Sequence, residues 1–290
     1  MLTTTATEAA AILHTSQPAI SRLIRQLERS SKLKLFELRR RRLVPTPEAH
    51  ALYREIERSY AGLDRVKEAI STLRDSGTGR LSIGSLPSMS MSVMPRAIRA
   101  FLRAHPGVRV SLQSDRSDLL RDGVASGLFD VGFSAEEIDE NGVEVHLLAA
   151  AREVCVMEPG HKLSRQRVVR AGDLKDLPLI MINRTDLARR RIDQVLEAAN
   201  IPSRPVIETN FGATVCSLAL EGAGVGLVNA LIAADFLSRG LVVKPFEPAV
   251  SFDIFLLHSL HNPPSQLALK FGACVRAELQ RRPGITLQPA

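Results

Sequence analysis

The sequence predicts an α+β chain in three parts: a short helical amino end, one long helix, and an α/β region around a mostly parallel sheet. Three observations carry this. Basic residues crowd the first 50 positions, apolar positions from Leu52 to Leu73 recur at a helical period, and from Arg80 onward short β-like runs alternate with helical stretches. The 290 residues, 45% apolar and 24% charged, suit a globular chain of two or three domains. Such a chain buries ample core without disulfides or metals. It contains no run of about 18 apolar residues, the length a membrane span requires. The start, Met1 to Glu8, lacks the basic-then-apolar pattern of a secretory signal. Cys155, Cys216 and Cys274 are far apart and odd in number, which fits a reduced, cytoplasmic protein. No Cys-x-x-Cys stands in the chain and His258/His261 is a weak pair, so neither a metal nor a cofactor is expected.

The amino end comes first. Residues 1–50 hold nine basic and four acidic side chains, so +5 of the net +7 lies there, and a basic end on a nearly neutral body suits a polyanion. Thr7 to Leu13 reads as a short helix broken by His14-Thr15. Ser16 then caps a second helix running to about Arg29, with Pro18 in the first turn, where a missing N–H costs little. Ile20, Leu23/Ile24 and Leu27 are spaced to face a core. Gln17, Ser21 and Arg25 fall on another side at i, i+4 and i+8, beside Arg22, Gln26 and Arg29. Gln and Arg read adenine and guanine edges with paired hydrogen bonds. Two short helices around a tight turn, the second presenting such side chains, are what a major-groove reader requires. Taken alone, this helix reads equally well as a solvated face. The next segment tips the balance: Leu35-Phe36 and Leu43-Val44 bracket Arg39-Arg40-Arg41-Arg42, a hairpin with its guanidiniums placed for flanking phosphates. The candidate DNA contacts are therefore Ser16, Gln17, Pro18, Ser21, Arg22, Arg25, Arg39, Arg40, Arg41 and Arg42.

The stretch Glu8 to Glu28, with its core Ser16-Gln17-Pro18-Ala19-Ile20-Ser21 and closing Leu27-Glu28, resembles the winged helix-turn-helix signature of LysR-type transcription regulators. Leu35-Phe36-Glu37 and Thr46-Pro47 extend the match. Ser31-Lys32 depart from the usual Leu-Gly, Leu38 from Arg and Ala49 from Gly. Family members also carry a further helix before the Ala-Ala stretch, and the present sequence starts after it. A start placed too late is the favoured expectation, and a truncated regulator with weakened DNA binding the other. Uncovered, Ile12, Ile20, Ile24 and Leu27 would each lose roughly 1.5–3 kcal/mol of burial.

The long helix is expected over residues 47–75. Leu52, Ile56, Tyr60, Leu63, Val66, Ile70 and Leu73 recur every 3.5 residues on average, the coiled-coil period. The lack of a second apolar stripe and the charges at Arg54, Glu55, Glu57, Arg58, Asp64, Arg65, Lys67 and Glu68 favour pairing with a second copy over packing on the chain's own core. A dimer of this kind sets two reading helices on a two-fold axis. The resemblance implies the same linker helix, and a tetramer made of two such dimers.

Beyond the breaker Asp75-Ser76-Gly77-Thr78-Gly79, strands are expected at 81–85, 108–113, 129–134, 179–182, 205–209, 224–228 and 252–258. Helices are expected at 92–105, 117–126, 187–200, 214–221, 231–238 and 265–280. This order resembles the two-lobed, periplasmic-binding-protein-like effector domain of the same family. The resemblance implies crossover strands near 145–160 and 245–258, and an effector in the cleft between the lobes. The expected domains are 1–46, 47–79 and 80–290, with the first lobe near 80–155 and 258–290 and the second near 156–257. In open α/β sheets ligands bind beyond the carboxyl ends of strands. Those ends place Ser85, Ser88, Asp115, Ser117, Ser134 and Glu136 in the first lobe, and Asn183, Thr209 and Asn210 in the second. Any one of them reads equally well as a helix cap; as a set they read as one cleft. Asp115 and Glu136 suit a cationic or amino-bearing effector, and the chain's likeness to the octopine and nopaline catabolism regulators implies an amino acid or opine.

The resemblance thus implies a transcription factor that binds double-stranded promoter DNA, a small-molecule effector and itself, with RNA polymerase as a further partner. Effector closing the cleft would shift how two dimers sit and so how DNA bends. Gly222-x-Gly224-x-Gly226 follows a helix and precedes a strand, the reverse of a dinucleotide motif. No nucleophile elbow or paired-carboxylate signature is present, so an enzyme is not expected. Two alternatives stay open: a ligand-binding, dimerising partner with impaired DNA binding, and a thiol sensor using Cys155 or Cys216.

Overall fold

The structure, a computed structural model, describes residues 5–39, 42–53, 56, 79–135 and 138–288. The chain divides into two compact units, 1–66 and 67–290. The expected linker positions Tyr60, Leu63, Val66, Ile70 and Leu73, and the candidate residues Arg40, Arg41 and Glu136, lie outside the described residues.

In the first unit, α1 (Ala6–Ile12) and α2 (Gln17–Ser31) are joined by a turn with His14 at φ +49°. Strands β1 (Phe36–Arg39) and β2 (Arg42–Pro45) pair antiparallel, Phe36 opposite Pro45 and Arg39 opposite Arg42. Thr46 then accepts from Ala49 N–H and donates its hydroxyl to Lys34 O, starting α3 over 47–53, with 56 also helical. Of the positions expected to face a core, Ile20 is buried and Ile24 half-buried, but Leu23 and Leu27 are exposed. The two-turn α1 packs against α2, and Leu23 and Leu27 lie on parts of the α2 surface left open to solvent. Leu52 is half-buried and Ile56 is exposed.

The second unit begins with β3 (Arg80–Ser85), α4 (Pro87–Ser92), α5 (Met94–Ala104), β4 (Arg109–Ser114), α6 (Ser117–Ser126) and β5 (Val131–Ala135). The long β6 (Val143–Met157), β7 (Val169–Arg170), β8 (Leu179–Ile182), α7 (Leu187–Ala198), β9 (Ile207–Thr209) and α8 (Gly212–Leu220) follow. The chain closes with β10 (Val225–Asn229), α9 (Ala230–Ala234), β11 (Val242–Glu247), β12 (Ser251–Ser259), α10 (Gln266–Gln280) and β13 (Thr286–Leu287). The first lobe has strand order β4-β3-β5-β12-β6 and the second β6-β10-β8-β9, with β6 common to both. Within each lobe β3, β4 and β5, or β8, β9 and β10, run parallel; in the first lobe β12 is antiparallel to both β5 and β6, and in the second β6 is antiparallel to β10.

The crossover lies where β6 leaves β12 after Arg152 and takes up β10 at Glu153. Glu153 N–H donates to Val250 O at 2.9 Å, fixing the return strand beside it. β12 pairs with β5 over Ile254–Leu257 and so belongs to the first lobe, not to the second as the expected boundary at 257 had it. The first core gathers Phe101, Phe133 and Phe271, whose rings meet edge to face at 5.5 and 5.9 Å. Such pairs add about 0.5–1.5 kcal/mol each beyond their burial. In the second lobe, a Cβ on Gly224 would sit 2.2 Å from Pro178 O and one on Gly226 2.3 Å from Val215. The glycine run thus lets β10 lie close to its neighbours. The expected helix 92–105 is α5, with Pro95 in its first turn, and a separate short α4 opened by Pro87 precedes it.

Candidate functional site

Two sites can be assembled. In the first unit, Ser16 caps α2 by accepting from Ala19 N–H at 3.4 Å, and Pro18 stands in its first turn. Gln17 donates to Ser21 Oγ at 2.9 Å, and Arg25 Nε to Ser21 O at 3.1 Å. The three residues therefore share one face, as their spacing requires. Gln17, Pro18, Arg22, Arg25 and Arg29 are exposed. A concavity of about 760 Å³ lies along this face, bounded by Thr5 and Glu8 at the start of α1, Gln17, Ser21 and Arg25 of α2, Lys34 ahead of the hairpin and Leu38 within it. Arg42 is exposed at the start of β2 and Arg39 ends β1, so the described ends of the arginine run converge on the hairpin tip.

Glu28 has no part in the sequence argument beyond the motif match, yet it locks this interface. Its Oε1 accepts from Leu35 N–H at 2.9 Å and Phe36 N–H at 3.2 Å, and Lys34 Nζ lies 3.8 Å away. The Leu35 N–H above all holds the carboxyl below its ordinary value, with Phe36 and Lys34 adding to it against the cost of burial. The clamp sets the angle between reading helix and wing. Glu28→Gln is expected to weaken it by about 1–2 kcal/mol, read as faster amide exchange at Leu35 and Phe36. A depressed folded pKa gives stability present above the unfolded carboxylate's value and lost as pH falls through the lower folded value. The two amide resonances should therefore titrate together in acid, and a midpoint at neutral pH would refute the clamp.

The second site is a cleft of about 850 Å³ between the lobes of the second unit, within the usual size of small-molecule pockets. The first lobe supplies Pro87 and Ser88 at the start of α4, Ser114 to Asp118 between β4 and α6, and Arg121 and Asp139. Ser117 donates its hydroxyl to Ala135 O at 2.9 Å, leaving oxygen lone pairs toward the cleft. Asp115 accepts from Arg116 N–H at 2.9 Å, while the Arg116 guanidinium forks onto Asp118 at 2.7 and 3.2 Å. Arg121 meets Asp139 at 3.3 Å. From the second lobe, the Asn183 amide donates to Asn210 Oδ1, joining the ends of β8 and β9, and its own carbonyl oxygen holds Thr185. Asp186 caps α7 through Ala188 and Arg189 N–H, and burial pushes its carboxyl up against the pull of those two donors. Phe211 and Gly212 open α8 without a side-chain cap. The floor is Glu153, Asn229 and Phe252 at the crossover.

Of the expected cleft residues, Ser88, Asp115, Ser117, Asn183 and Asn210 line it. Ser85, Ser134 and Thr209 do not, and these are corrections. Ser85 is wholly buried, its hydroxyl turned to Leu86 O. β5 runs one residue beyond its expected end, so Ser134 lies inside a fully buried strand. Thr209 serves through its backbone, its carbonyl accepting from Asn183 N–H at 2.9 Å. Arg190, Asn229 and Phe252 line the cleft as well, beyond the residues expected there. A polar residue straight after an apolar strand could have flagged Asn229. Burial pushes the Cys155 and Cys216 thiols up to about 12, the opposite of the low-pKa thiolate a redox sensor needs. Among the described residues no helix is long and apolar enough to cross a membrane, and no cluster of three metal-ligating side chains occurs.

A basic helix-turn-helix with a hairpin wing, followed by a two-lobed domain around a polar cleft, defines a DNA-binding transcription regulator controlled by a small molecule. The chain belongs to the LysR family. The family model "Bacterial regulatory helix-turn-helix protein, lysR family" matches residues 2–50, and "LysR substrate binding domain" matches residues 74–280. The chain is 37% identical over 275 residues to the transcriptional activator protein LysR of Escherichia coli (strain K12), covering 95% of this chain and 88% of that protein. It is 30% identical over 287 residues to the regulatory protein NocR of Agrobacterium tumefaciens (strain T37), covering 99% and 96%. It is 28% identical over 271 residues to the octopine catabolism/uptake operon regulatory protein OccR of Rhizobium meliloti, covering 93% and 90%. In fold it is similar to full-length CbnR solved with its target DNA, at a TM-score of 0.66 and 22% identity over 94% of each chain. The matched proteins are transcription regulators, not enzymes.

Proposed function

We propose that this regulator reads promoter DNA with Gln17, Ser21, Arg22 and Arg25 of α2, grips the flanking phosphates with Arg39 to Arg42, and responds to an effector that carries both an ammonium and a carboxylate. The observation that carries the effector class is the charge of the cleft. Arg116 is matched by Asp118, and Arg121 by Asp122 and Asp139, while Asp115 and Asp186 face the same space as Arg190. A carboxylate-rich cleft favours a cationic group, and an uncapped α8 start offers N–H groups to an anionic one. An amino acid or an opine has both. The name of the octopine catabolism/uptake operon regulatory protein accords with this class. Self-association through the heptad positions 52–73 gives a dimer, pairs of dimers give a tetramer, and RNA polymerase is the partner at the promoter. The site of action is the cytoplasm.

Isothermal titration of the full chain with L-lysine, L-arginine and octopine tests the effector class. Binding is expected for at least one of them, weakened about tenfold or more by Asp115→Asn through loss of a charge-assisted hydrogen bond. Binding of dicarboxylates or neutral aromatics in their place would refute it.

A further inference from the structure

Both α4 and α9 start at the cleft. Ser88 of α4 and Asn229, the cap of α9, line it. α4 is part of the first lobe, whereas α9 continues from β10 of the second. Leu231 of α9 is buried in the first lobe's core, while Ile232 and Ala233 lie in a second-lobe cluster, so this helix straddles the hinge.

One side chain joins the far ends of the two helices. Arg282, just beyond α10 and buried, donates from Nη2 to Ser92 O at 2.6 Å, the last residue of α4. Its Nη1 donates to Asp235 Oδ1 at 2.8 Å, just past α9, and to Leu231 O at 3.4 Å. Arg96 of α5 reaches the same Asp235 Oδ1 at 3.4 Å. Ser92 in turn donates its hydroxyl to Ser88 O at 2.6 Å, so the tie continues back to the cleft. The grip is incomplete. Among the described residues, Asp235 Oδ2 and Arg282 Nε are both buried without a hydrogen-bond partner. A guanidinium grips one carboxylate with two parallel bonds through Nη2 together with Nε or Nη1, and here Nη2 is committed to Ser92 O, so Arg282 spans the two helices instead of closing on Asp235 alone.

We propose that Arg282 is a positioning residue for the effector cleft: an interlobe tie that sets how α4 and α9 present their cleft-facing ends. The role in effector response rests on the reading of the cleft given above; the tie itself is testable without an effector.

Hydrogen–deuterium exchange of the full, effector-free chain is the test. In Arg282→Gln and in Asp235→Asn, amides 88–92 and 230–236 are expected to exchange about tenfold faster or more, while those of α6 and α7 keep their rates. Arg282→Lys, which keeps the charge and a donor to Ser92 O, is expected to restore part of the protection. A uniform rise across 79–288 would mean a merely structural arginine and overturn the proposal, as would a rise confined to 279–288. Should Arg282→Gln fail to fold, the near-isosteric Asp235→Asn decides alone. Failure of the amino-acid titration would refute the effector class and leave this result standing.

Discussion

Replacing Gln17 and Arg25 together by alanine is expected to abolish sequence-specific DNA binding and to leave only weak, salt-sensitive affinity. Both side chains stand on one face of α2, held in line by their bonds to Ser21. Each bidentate base contact discriminates by roughly 1–3 kcal/mol, so the double variant loses roughly 30-fold to 10⁴-fold for its site. Arg42→Ala should behave differently. A phosphate contact carries no sequence information, so affinity falls evenly across sequences and the salt slope of binding drops by about one. Fluorescence anisotropy on the upstream intergenic DNA, beside a scrambled duplex and across a salt series, separates the two. Equal losses on both duplexes for the Gln17/Arg25 variant would remove α2 from base reading.

The largest effect on stability is expected at Arg189. Its side chain is wholly buried at the start of α7, donating to Ile182 O at 2.6 Å, Asp193 at 2.8 Å and Glu208 at 3.0 Å. It ties α7 to β8 and β9 at the strand ends that carry Asn183 and Asn210. Breaking a buried ion pair by removing one partner costs about 3–5 kcal/mol. Asp193 and Glu208 keep access to water, at 29% and 45% exposure, so Arg189→Met falls at the low end. For a unit of this size about 3 kcal/mol lowers the melting temperature by about 6–12 °C. Calorimetry of the full chain reads it, and a shift under about 2 °C would show that water or a neighbour replaces the guanidinium.

Much of this fold is legible in the sequence, and the failures have particular causes. The short parallel strands β3, β4, β8 and β10 announce themselves as apolar runs closed by polar residues, and α6, α7 and α10 by period and caps. β6 does not, because Ala149, Ala150, Ala151 and Arg152 at its centre have no preference for a strand; pairing on both sides holds them there. β11 carries Pro245 and reads as a break, which an antiparallel edge beside β6 tolerates. On the cleft, residues just past a strand end were found and those at its last position were not. Side chains alternate along a strand, so an end misplaced by one residue moves Ser134 from cleft to core. Glu28 and Arg282 were invisible for another reason: their partners are backbone groups or lie some fifty residues or more away, at distances no local pattern encodes.

The strand common to both lobes also orders how the chain is made. The second lobe is one continuous stretch, inserted between β6 and β12. During synthesis all of its strands emerge before β12 and α10, so it can close while the first lobe waits for both. Until then β5 offers a bare edge, and the apolar floor that Phe271, Val275 and Leu279 will cover stays open. A nascent chain halted before Ser251 carries a finished lobe and an unfinished one, and the unfinished edge is where a second nascent chain would add a strand.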